Sequence, residues 1–325
     1  MVMAQSLFIA LKQASPDVQI DVLAPSWSLA LLERMPEVHK AIAMPLGHGQ
    51  LGLAARYQLG KSLQPKAYQQ AIVLPNSWKS ALVPFFAGIP LRTGYWGECR
   101  WGLLSDPRKL DKSLLTMTVQ RFVALAGSKT ETNLPEYRFP KLFVSANGQQ
   151  RALQKFQLTQ TDKILAFCPG AEFGPAKRWP ASHFAAVAMA KLNQGWQIWL
   201  FGSTNDQAVT SQINDMTGGR CIDLAGHTSL GEAIDLLSAA YAVVSNDSGL
   251  MHVAAALNKK IVALYGSSDA KFTPPLINTV SIVSLGLDCS PCFKRVCPLY
   301  PPDHDQHTAC LVGISPDVVL KLLPE

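Results

Sequence analysis

Three capping-type residues and a glycine lie together in the stretch "NDSG" (246–249), between a β-branched run and an alanine-rich helical pattern. Ser248 and Gly249 would begin the helix, where unpaired N–H groups and the positive end of the helix dipole attract phosphate. Asp247 would repel a bare phosphate, so we expect it to accept sugar hydroxyls or to brace the loop. His252, one turn inside, is either a ligand or a packed helix residue. The stretch predicts an anion site, with an ordinary N-cap as the alternative.

A second stretch, "CPGAEFGPAKRWP" (168–180), leaves a predicted strand and carries a lysine. Its glycines would let the backbone approach a ligand, and Lys177 could neutralise a pyrophosphate as a point charge. Glu172 lies on the same loop, and Ser182 is the predicted N-cap of the next helix. A solvated lysine on a turn is the alternative interpretation.

Two further strand ends carry small polar residues, in "LFGSTND" (200–206) and "LAGHTSL" (224–230). Ligands of open parallel sheets bind outside the carboxyl ends of strands. Gly202, Ser203 and Thr228 could therefore line a base and ribose pocket, and ordinary loop residues are an equal alternative.

Four cysteines lie close together near the end of the chain, separated by two, four and twelve residues: Cys289, Cys292, Cys297 and Cys310. Four soft ligands could bind zinc tetrahedrally. The spacing lacks the paired CxxC units of a strong zinc signature, so reduced thiols in an irregular loop, or a redox-sensitive pair, are favoured. We expect no metal.

Bulk properties limit the class of protein. The chain has 325 residues, enough for two domains, with 16% charged residues and a formal net charge of +6. That charge fits an anionic substrate or membrane surface, without the Lys/Arg tracts of a nucleic-acid binder. No apolar run reaches the roughly 18 residues of a spanning helix. The opening residues lack the basic start of a signal peptide, and the cysteine usage favours a reducing cytoplasm.

Strand and helix patterns alternate along the chain, which predicts an α/β protein with parallel sheets covered on both faces. Two such series of alternating strands and helices, one in each half of the chain, imply two doubly wound, Rossmann-like domains that face each other across a cleft. The stretch "YRFPKLFVSANGQQ" (137–150) has little periodicity and is interpreted as their connection. The predicted domains are 1–145 and 146–325.

The chain begins inside a helical pattern, ahead of the first strand signal. In a doubly wound sheet the first strand normally lies near the centre, and the loop after it faces the ligand. Without that strand, its neighbours would expose unpaired edges. We therefore expect a strand and its loop, roughly a dozen residues, to be missing upstream of Met1.

Together these stretches resemble the ADP-heptose:lipopolysaccharide heptosyltransferases, glycosyltransferase family 9. The resemblance covers essentially the whole chain and rests on "CPGAEFGPAKRWP", "LFGS", "NDSGLMHVAAALN" and "VALYGSS", with "RMPEVHKAIAMPLGHG" (34–49) and "LPNSWKSALVPFFAGIPLRTGYWGE" (74–98) in the first half. It implies a type B glycosyltransferase whose C-terminal domain binds the ADP-sugar. The N-terminal domain would bind the growing inner core of lipopolysaccharide.

The resemblance also implies roles for residues. Lys177 and the helix start at Ser248 would hold the diphosphate, and the sugar and phosphates would be surrounded by Glu172, Asp247 and His252. Because the acceptor carries phosphates and acidic sugars, basic residues of the first half are acceptor-binding candidates, with solvated surface charges as the alternative. These candidates are Lys79, Arg92 and Arg100.

The implied reaction is an inverting displacement of ADP from the anomeric carbon by an acceptor hydroxyl. It needs a carboxylate as general base and positive charge on the leaving diphosphate. Lys177 and the helix N-terminus could supply that charge without a metal or other cofactor. The family's base is an aspartate in a Gly-Asp turn after the first strand. That segment would precede Met1, so no residue here is assigned the role.

The sequence thus predicts a monomeric heptosyltransferase in the cytoplasm, in peripheral contact with the inner membrane. One alternative is a chain that binds the nucleotide-sugar but is catalytically inactive. A nicotinamide-dependent oxidoreductase is less favoured, because it would want G-x-G-x-x-G after the first strand, and the sequence is interpreted as lacking that motif.

Overall fold

The computed structural model describes residues 1–47, 49–129, 133–304 and 306–325. His48, which belongs to the quoted stretch 34–49, therefore lies outside the described residues. The chain divides into two compact units, Met3–Arg138 and Phe139–Glu325.

The first unit alternates helices and strands, and every strand pair in it is parallel. Its helices are α1 (Gln5–Ala14), α2 (Leu29–Leu32), α3 (Leu53–Leu63), α4 (Leu82–Phe86) and α5 (Thr118–Val123). Its strands are β1 (Ile20–Pro25), β2 (Val38–Met44), β3 (Gln70–Val73), β4 (Leu91–Tyr95) and β5 (Asp106–Arg108). Within the described residues these strands form two sheets, β1-β2 and β3-β4-β5.

The second unit contains one parallel sheet of order β11-β10-β9-β6-β7-β8. Its strands are β6 (Ile164–Cys168), β7 (Gln197–Leu200), β8 (Ile222–Asp223), β9 (Ala242–Asn246), β10 (Lys260–Leu264) and β11 (Val280–Val283). Its helices are α6 (Ala146–Lys155), α7 (Ala181–Asn193), α8 (Gln207–Met216), α9 (Leu230–Leu237), α10 (Gly249–Ala256), α11 (Ala309–Val312) and α12 (Pro316–Leu322).

The central strands of this sheet are buried on both faces. Every residue of β6 and β9 is buried, which explains why "ILAFC" and "AVVSN" read as continuous runs and not as alternating ones. The chain passes from β6 to β7 on one side and returns to place β9 on the other. The point between β6 and β9 is therefore a topological switch point, where ligands of open α/β sheets bind.

Part of the predicted connection 137–150 is helical. Ser145 is the N-cap of α6, and its Oγ accepts a hydrogen bond of 3.0 Å from the N–H of Gly148. The N–H of Leu142 donates to the carbonyl of Ala256 at 2.9 Å, which ties the preceding segment to the second unit. The boundary between units thus lies at Arg138.

Among the described residues, none of the helices combines the length and the apolar character needed to span a membrane.

Candidate active site

The candidate site lies at the switch point, where the loops after β6 and β9 leave neighbouring strands. Cys168 pairs with Ser245 in the last register position of the two strands. The two stretches that the sequence singled out, 168–180 and 246–249, are therefore brought together at the carboxyl edge of one sheet.

Asn246 joins these two loops. Its side chain is 0% exposed; Nδ2 donates to the carbonyl of Pro169 at 2.7 Å, and Oδ1 accepts from the N–H of Trp179 at 3.1 Å. One amide thus holds both ends of the loop that carries Lys177. Sequence reasoning missed this role, since a capping-type residue beside other capping-type residues carries no signal of a contact 67 residues away.

The helix start after β9 is open toward its ligand side. Helix α10 begins at Gly249, and its N-cap, Ser248, has extended backbone and forms no side-chain capping bond. The Ser248 hydroxyl lies instead 3.3 Å from the hydroxyl of Ser245. No heavy atom of the described residues lies within 4 Å of the place where a Cβ on Gly249 would point. The first amides of α10 can therefore receive an anion.

Lys177 and Asp247 form an ion pair across the switch point. The Nζ of Lys177 lies 2.5 Å from Oδ2 of Asp247, and the two side chains are 16% and 6% exposed. Asp247 therefore braces the side chain of Lys177. The two roles suggested from the sequence, binding of sugar hydroxyls and bracing of the loop, stay predictions. The pair also cancels its own charge, so the positive potential here comes from the helix and from further cations.

The remaining loop residues after β6 differ in exposure. Glu172 is exposed, and Phe173 lies beneath Lys177, whose Nζ is 5.0 Å from the ring centroid. Helix α7 begins at Ala181 after Pro180, so Ser182 lies inside its first turn and the prediction of Ser182 as N-cap is wrong. Pro180 supplies extended backbone and is itself the N-cap.

Asp206 organises the loop after β7, and sequence reasoning missed it. Its Oδ2 accepts hydrogen bonds from the N–H and the Oγ of Ser203 at 2.9 and 2.8 Å. A Cβ on Gly202 would lie 2.7 Å from the Asp206 Cβ, and one on Gly170 would lie 2.3 Å from its carboxylate carbon. Both glycines are therefore required for packing, and the Ser203 hydroxyl is engaged in the turn.

Thr228 and His252 lie on the same unit. The Thr228 hydroxyl is half-buried and donates to the Leu224 carbonyl at 3.4 Å. His252 is half-buried on α10. Burial lowers its pKa to about 4, against the opposing effect of the Asp247 carboxylate. The imidazole is thus neutral at neutral pH and adds no charge to the site.

The three basic candidates of the first unit have different surroundings. Arg100 is 5% exposed; it donates through Nη1 to the Pro75 carbonyl at 2.9 Å and through Nη2 to the Tyr95 carbonyl. Arg92 donates to the carbonyls of Leu103 and Ile89. Both guanidinium groups are therefore committed to the backbone, a placement that suits bracing of the sheet edge rather than direct contact with an acceptor.

Lys79 is different, because it lies half-buried in the 3₁₀ helix Trp78–Ala81 that follows β3. In the described part of the chain its Nζ has no hydrogen-bond or ion-pair partner. It keeps its full capacity to bind an anion.

The four clustered cysteines are all free thiols. Burial raises the pKa of Cys310 to about 11, and Cys289, Cys292 and Cys297 add to that rise. Burial also acts on Cys297, but hydrogen bonds from the N–H groups of Thr308, Leu299 and Tyr300 leave its pKa lowered. Across the described ranges, no group of three or more His, Cys, Asp or Glu side chains could hold a metal ion. The zinc alternative thus gains no support.

A G-x-G-x-x-G spacing does occur in the first unit, as "GHGQLG" (47–52), which the interpretation from sequence passed over. It lies between β2 and α3 and includes His48, which the structure leaves undescribed. Gly52 is the N-cap of α3 in the left-handed region, with φ of 50°.

The structure is that of an α/β protein with two units built on parallel sheets. In the second unit, the open start of α10 lies at the switch point of the sheet and could receive a phosphate. The model of glycosyltransferase family 9 (heptosyltransferase) matches residues 56–301, more than half of the chain. The chain belongs to this family. The prediction that it is a glycosyltransferase is confirmed.

Curated relatives agree with the family match. Lipopolysaccharide heptosyltransferase 2 of Escherichia coli is 49% identical over 294 residues, which cover 88% of this chain and 84% of the relative. Lipooligosaccharide heptosyltransferase 2 of Haemophilus ducreyi is 50% identical over 298 residues, with 88% and 85% covered. The solved E. coli ADP-heptose lps heptosyltransferase II superposes with a TM-score of 0.85 at 43% identity, over 99% of this chain and 93% of that one. The prediction of two Rossmann-like domains of type B architecture is thereby confirmed.

Proposed function

We propose that this chain transfers a heptose from ADP-heptose to a lipopolysaccharide inner-core acceptor, as its relatives' names indicate for them. The unit Phe139–Glu325 binds the ADP-sugar, and the unit Met3–Arg138 binds the acceptor. The observation that carries the donor assignment is the open start of α10 beside the Lys177–Asp247 pair, at the switch point of the second sheet.

The reaction places its main electrostatic demand on the leaving group. An acceptor hydroxyl gives up its proton to a general base and attacks the anomeric carbon opposite the ADP. The carbon–oxygen bond to the diphosphate breaks, ADP leaves with that electron pair, and the configuration inverts. Charge develops on the diphosphate oxygens, where preorganised N–H groups and cations lower the barrier most. The first amides of α10 supply the N–H groups, and Lys177, although paired with Asp247, supplies an ammonium group that can donate to a diphosphate oxygen. Asn246 fixes the loop that carries the lysine.

Lys177 offers the direct test. The Lys177→Ala variant removes the ammonium group and leaves Asp247 buried without its partner. We expect ADP-heptose to bind at least about tenfold more weakly, with a matching loss of ADP release in the presence of acceptor. The matched control is Lys155→Ala, because Lys155 also pairs with a carboxylate, Glu232 at 2.6 Å, and also lies over a phenylalanine ring.

Three outcomes are informative. Loss of ADP-heptose binding in Lys177→Ala, with binding retained in Lys155→Ala, supports the donor assignment. Unchanged binding and transfer in Lys177→Ala would refute it. Tight ADP-heptose binding by the parent chain without transfer to any inner-core acceptor would identify a nucleotide-sugar binder instead.

We also propose that the chain meets the cytoplasmic face of the inner membrane peripherally, through an apolar patch on its first unit. Leu53 and Tyr57, one turn apart on α3, are 49% and 48% exposed, and Phe85 of α4 is 42% exposed. Cations flank these side chains: Lys61 lies over the Tyr57 ring, and Arg92 lies over the Phe85 ring. Exposed apolar side chains that are flanked by positive charges suit an anionic lipid surface.

We also propose that the working form is a monomer. Sedimentation velocity at the concentrations used for the transfer assay tests this expectation, and a dimer at those concentrations would contradict it.

A further inference from the structure

Arg295 reaches the candidate donor site from a distant part of the sequence. It follows β11 on the cysteine-containing segment, which is anchored to the carboxyl end of β10. The N–H of Phe293 donates to the Ser267 carbonyl at 2.7 Å, and the Ser290 hydroxyl donates to the Gly266 carbonyl. These bonds bring the segment to the same edge of the sheet as the loops after β6 and β9.

The backbone of Arg295 contacts the Lys177 loop directly. Its carbonyl accepts a hydrogen bond of 3.1 Å from the N–H of Ala176. A Cβ on Gly174, whose φ is 152°, would lie 2.5 Å from the same carbonyl oxygen. The approach therefore requires glycine at position 174, and the two loops form one packed unit.

The side chains of Arg295 and Lys177 contact the same aromatic ring. Its guanidinium carbon is 5.5 Å from the centroid of the Phe173 ring, and the Nζ of Lys177 is 5.0 Å from that centroid. One aromatic ring thus holds two cations that are 118 residues apart in the chain. The ring restricts both long side chains, which reduces the entropy lost when they bind an anion.

The charges around the site give these cations unequal roles. Lys177 is paired with Asp247, and Arg178 lies 3.5 Å from Asp206, so each of these cations faces a carboxylate. Glu172 adds a negative charge on the exposed loop. Within residues 133–304 and 306–325, Arg295 has no carboxylate partner, and its guanidinium N–H groups make no hydrogen bond. Arg295 therefore contributes a positive charge that no carboxylate of these residues neutralises, whereas Lys177 and Arg178 each face a carboxylate.

We propose that Arg295 binds the diphosphate of the nucleotide-sugar donor, together with Lys177 and the first amides of α10. A guanidinium suits this role because its planar N–H groups can donate to two phosphate oxygens at once. The inference rests on the proposed function, which it deepens by one specific donor-site residue. It also assigns a function to the cysteine-containing segment, because that segment carries Arg295 to the Lys177 loop.

Titrations with ADP and with adenosine test the proposal. In Arg295→Ala the backbone carbonyl that accepts from Ala176 remains, so the variant removes the guanidinium alone. We expect ADP to bind about 10- to 100-fold more weakly, with adenosine affinity unchanged, and we expect Arg295→Lys to recover part of the loss. Lys294→Ala, which removes the neighbouring exposed cation, should leave ADP affinity within about twofold of the parent.

Two results would overturn the inference. One is ADP binding by Arg295→Ala within twofold of the parent chain. The other is an equal loss for ADP and adenosine, which would indicate a role in loop structure. If the parent chain itself bound neither ADP nor ADP-heptose, the proposed function would fall together with this inference. Parent binding with an unaffected Arg295→Ala variant would overturn the inference alone.

Discussion

Replacement of Asn246 by alanine should destabilise the second unit and loosen the Lys177 loop. The native side chain is fully buried and satisfies two backbone groups, the carbonyl of Pro169 and the N–H of Trp179. Alanine reaches neither. A buried backbone group left without its partner costs about 1–3 kcal/mol, so the pair should cost about 2–6 kcal/mol.

The unit Phe139–Glu325 has a size at which each kcal/mol lowers the melting temperature by about 2–4 °C. We therefore expect its thermal transition to fall by about 4–24 °C in Asn246→Ala. Hydrogen exchange of the Trp179 amide gives a local readout that does not depend on two-state unfolding, and it should accelerate. The matched control is Asn205→Ala, because Asn205 is exposed in the turn after β7.

A second variant separates the two hydrogen bonds of Asn246. Asn246→Asp keeps the acceptor for the Trp179 amide but sets a carboxylate oxygen against the Pro169 carbonyl. It should be at least as destabilising as alanine at neutral pH, because it also buries a charge. If either variant melted within about 1 °C of the parent and left Trp179 exchange unchanged, the bridging role of Asn246 would be wrong.

Three further predictions follow from the described contacts. Because burial lowers the pKa of His252 to about 4, below about 6.5 in the unfolded chain, stability should fall as the pH drops from 6.5 toward 4. Urea unfolding at several pH values should show that the free energy of unfolding of His252→Gln falls less steeply over this range than that of the parent. Parallel pH dependences for variant and parent would contradict the buried imidazole. Iodoacetamide should label Cys297, whose pKa is lowered, before Cys310, whose pKa is raised to about 11. Peptide mass spectrometry gives the order of labelling, and the reverse order would contradict the assigned hydrogen bonds. Replacement of Tyr57 and Phe85 by serine should abolish co-sedimentation with anionic vesicles while ADP affinity is retained; unchanged co-sedimentation would exclude the apolar patch as the docking surface.

The sequence was sufficient for the parts of the fold that depend on local pattern. The start of α10 at Gly249 follows from a β-branched run, a serine N-cap and an alanine-rich helix, all within a short stretch. The alternation of strands and helices also predicted parallel sheets. Helix boundaries near serines were less reliable, because Ser145 caps α6 whereas Ser182 caps nothing. In the second case the preceding proline already fixes the extended backbone that an N-cap needs.

Contacts across the switch point could not be read from the sequence. The pairing of Lys177 with Asp247 spans 70 residues, and it depends on β9 lying beside β6. Periodicity identifies both strands but does not encode which strands are neighbours. The bridging role of Asn246 and the approach of Arg295 were hidden for the same reason.

The basic residues show why a count of charges overestimates the positive potential of a site. Arg100 and Arg92 lie near strand ends of the first unit, yet their N–H groups donate to backbone carbonyls. Lys177 lies at the predicted place but is neutralised by Asp247. Lys79 and Arg295 differ from these residues, because among the described residues their charged groups have no hydrogen-bond or ion-pair partner. Since neither cation has a carboxylate partner that competes with an anionic ligand, we expect replacement of Lys79 to weaken acceptor binding and replacement of Arg295 to weaken donor binding.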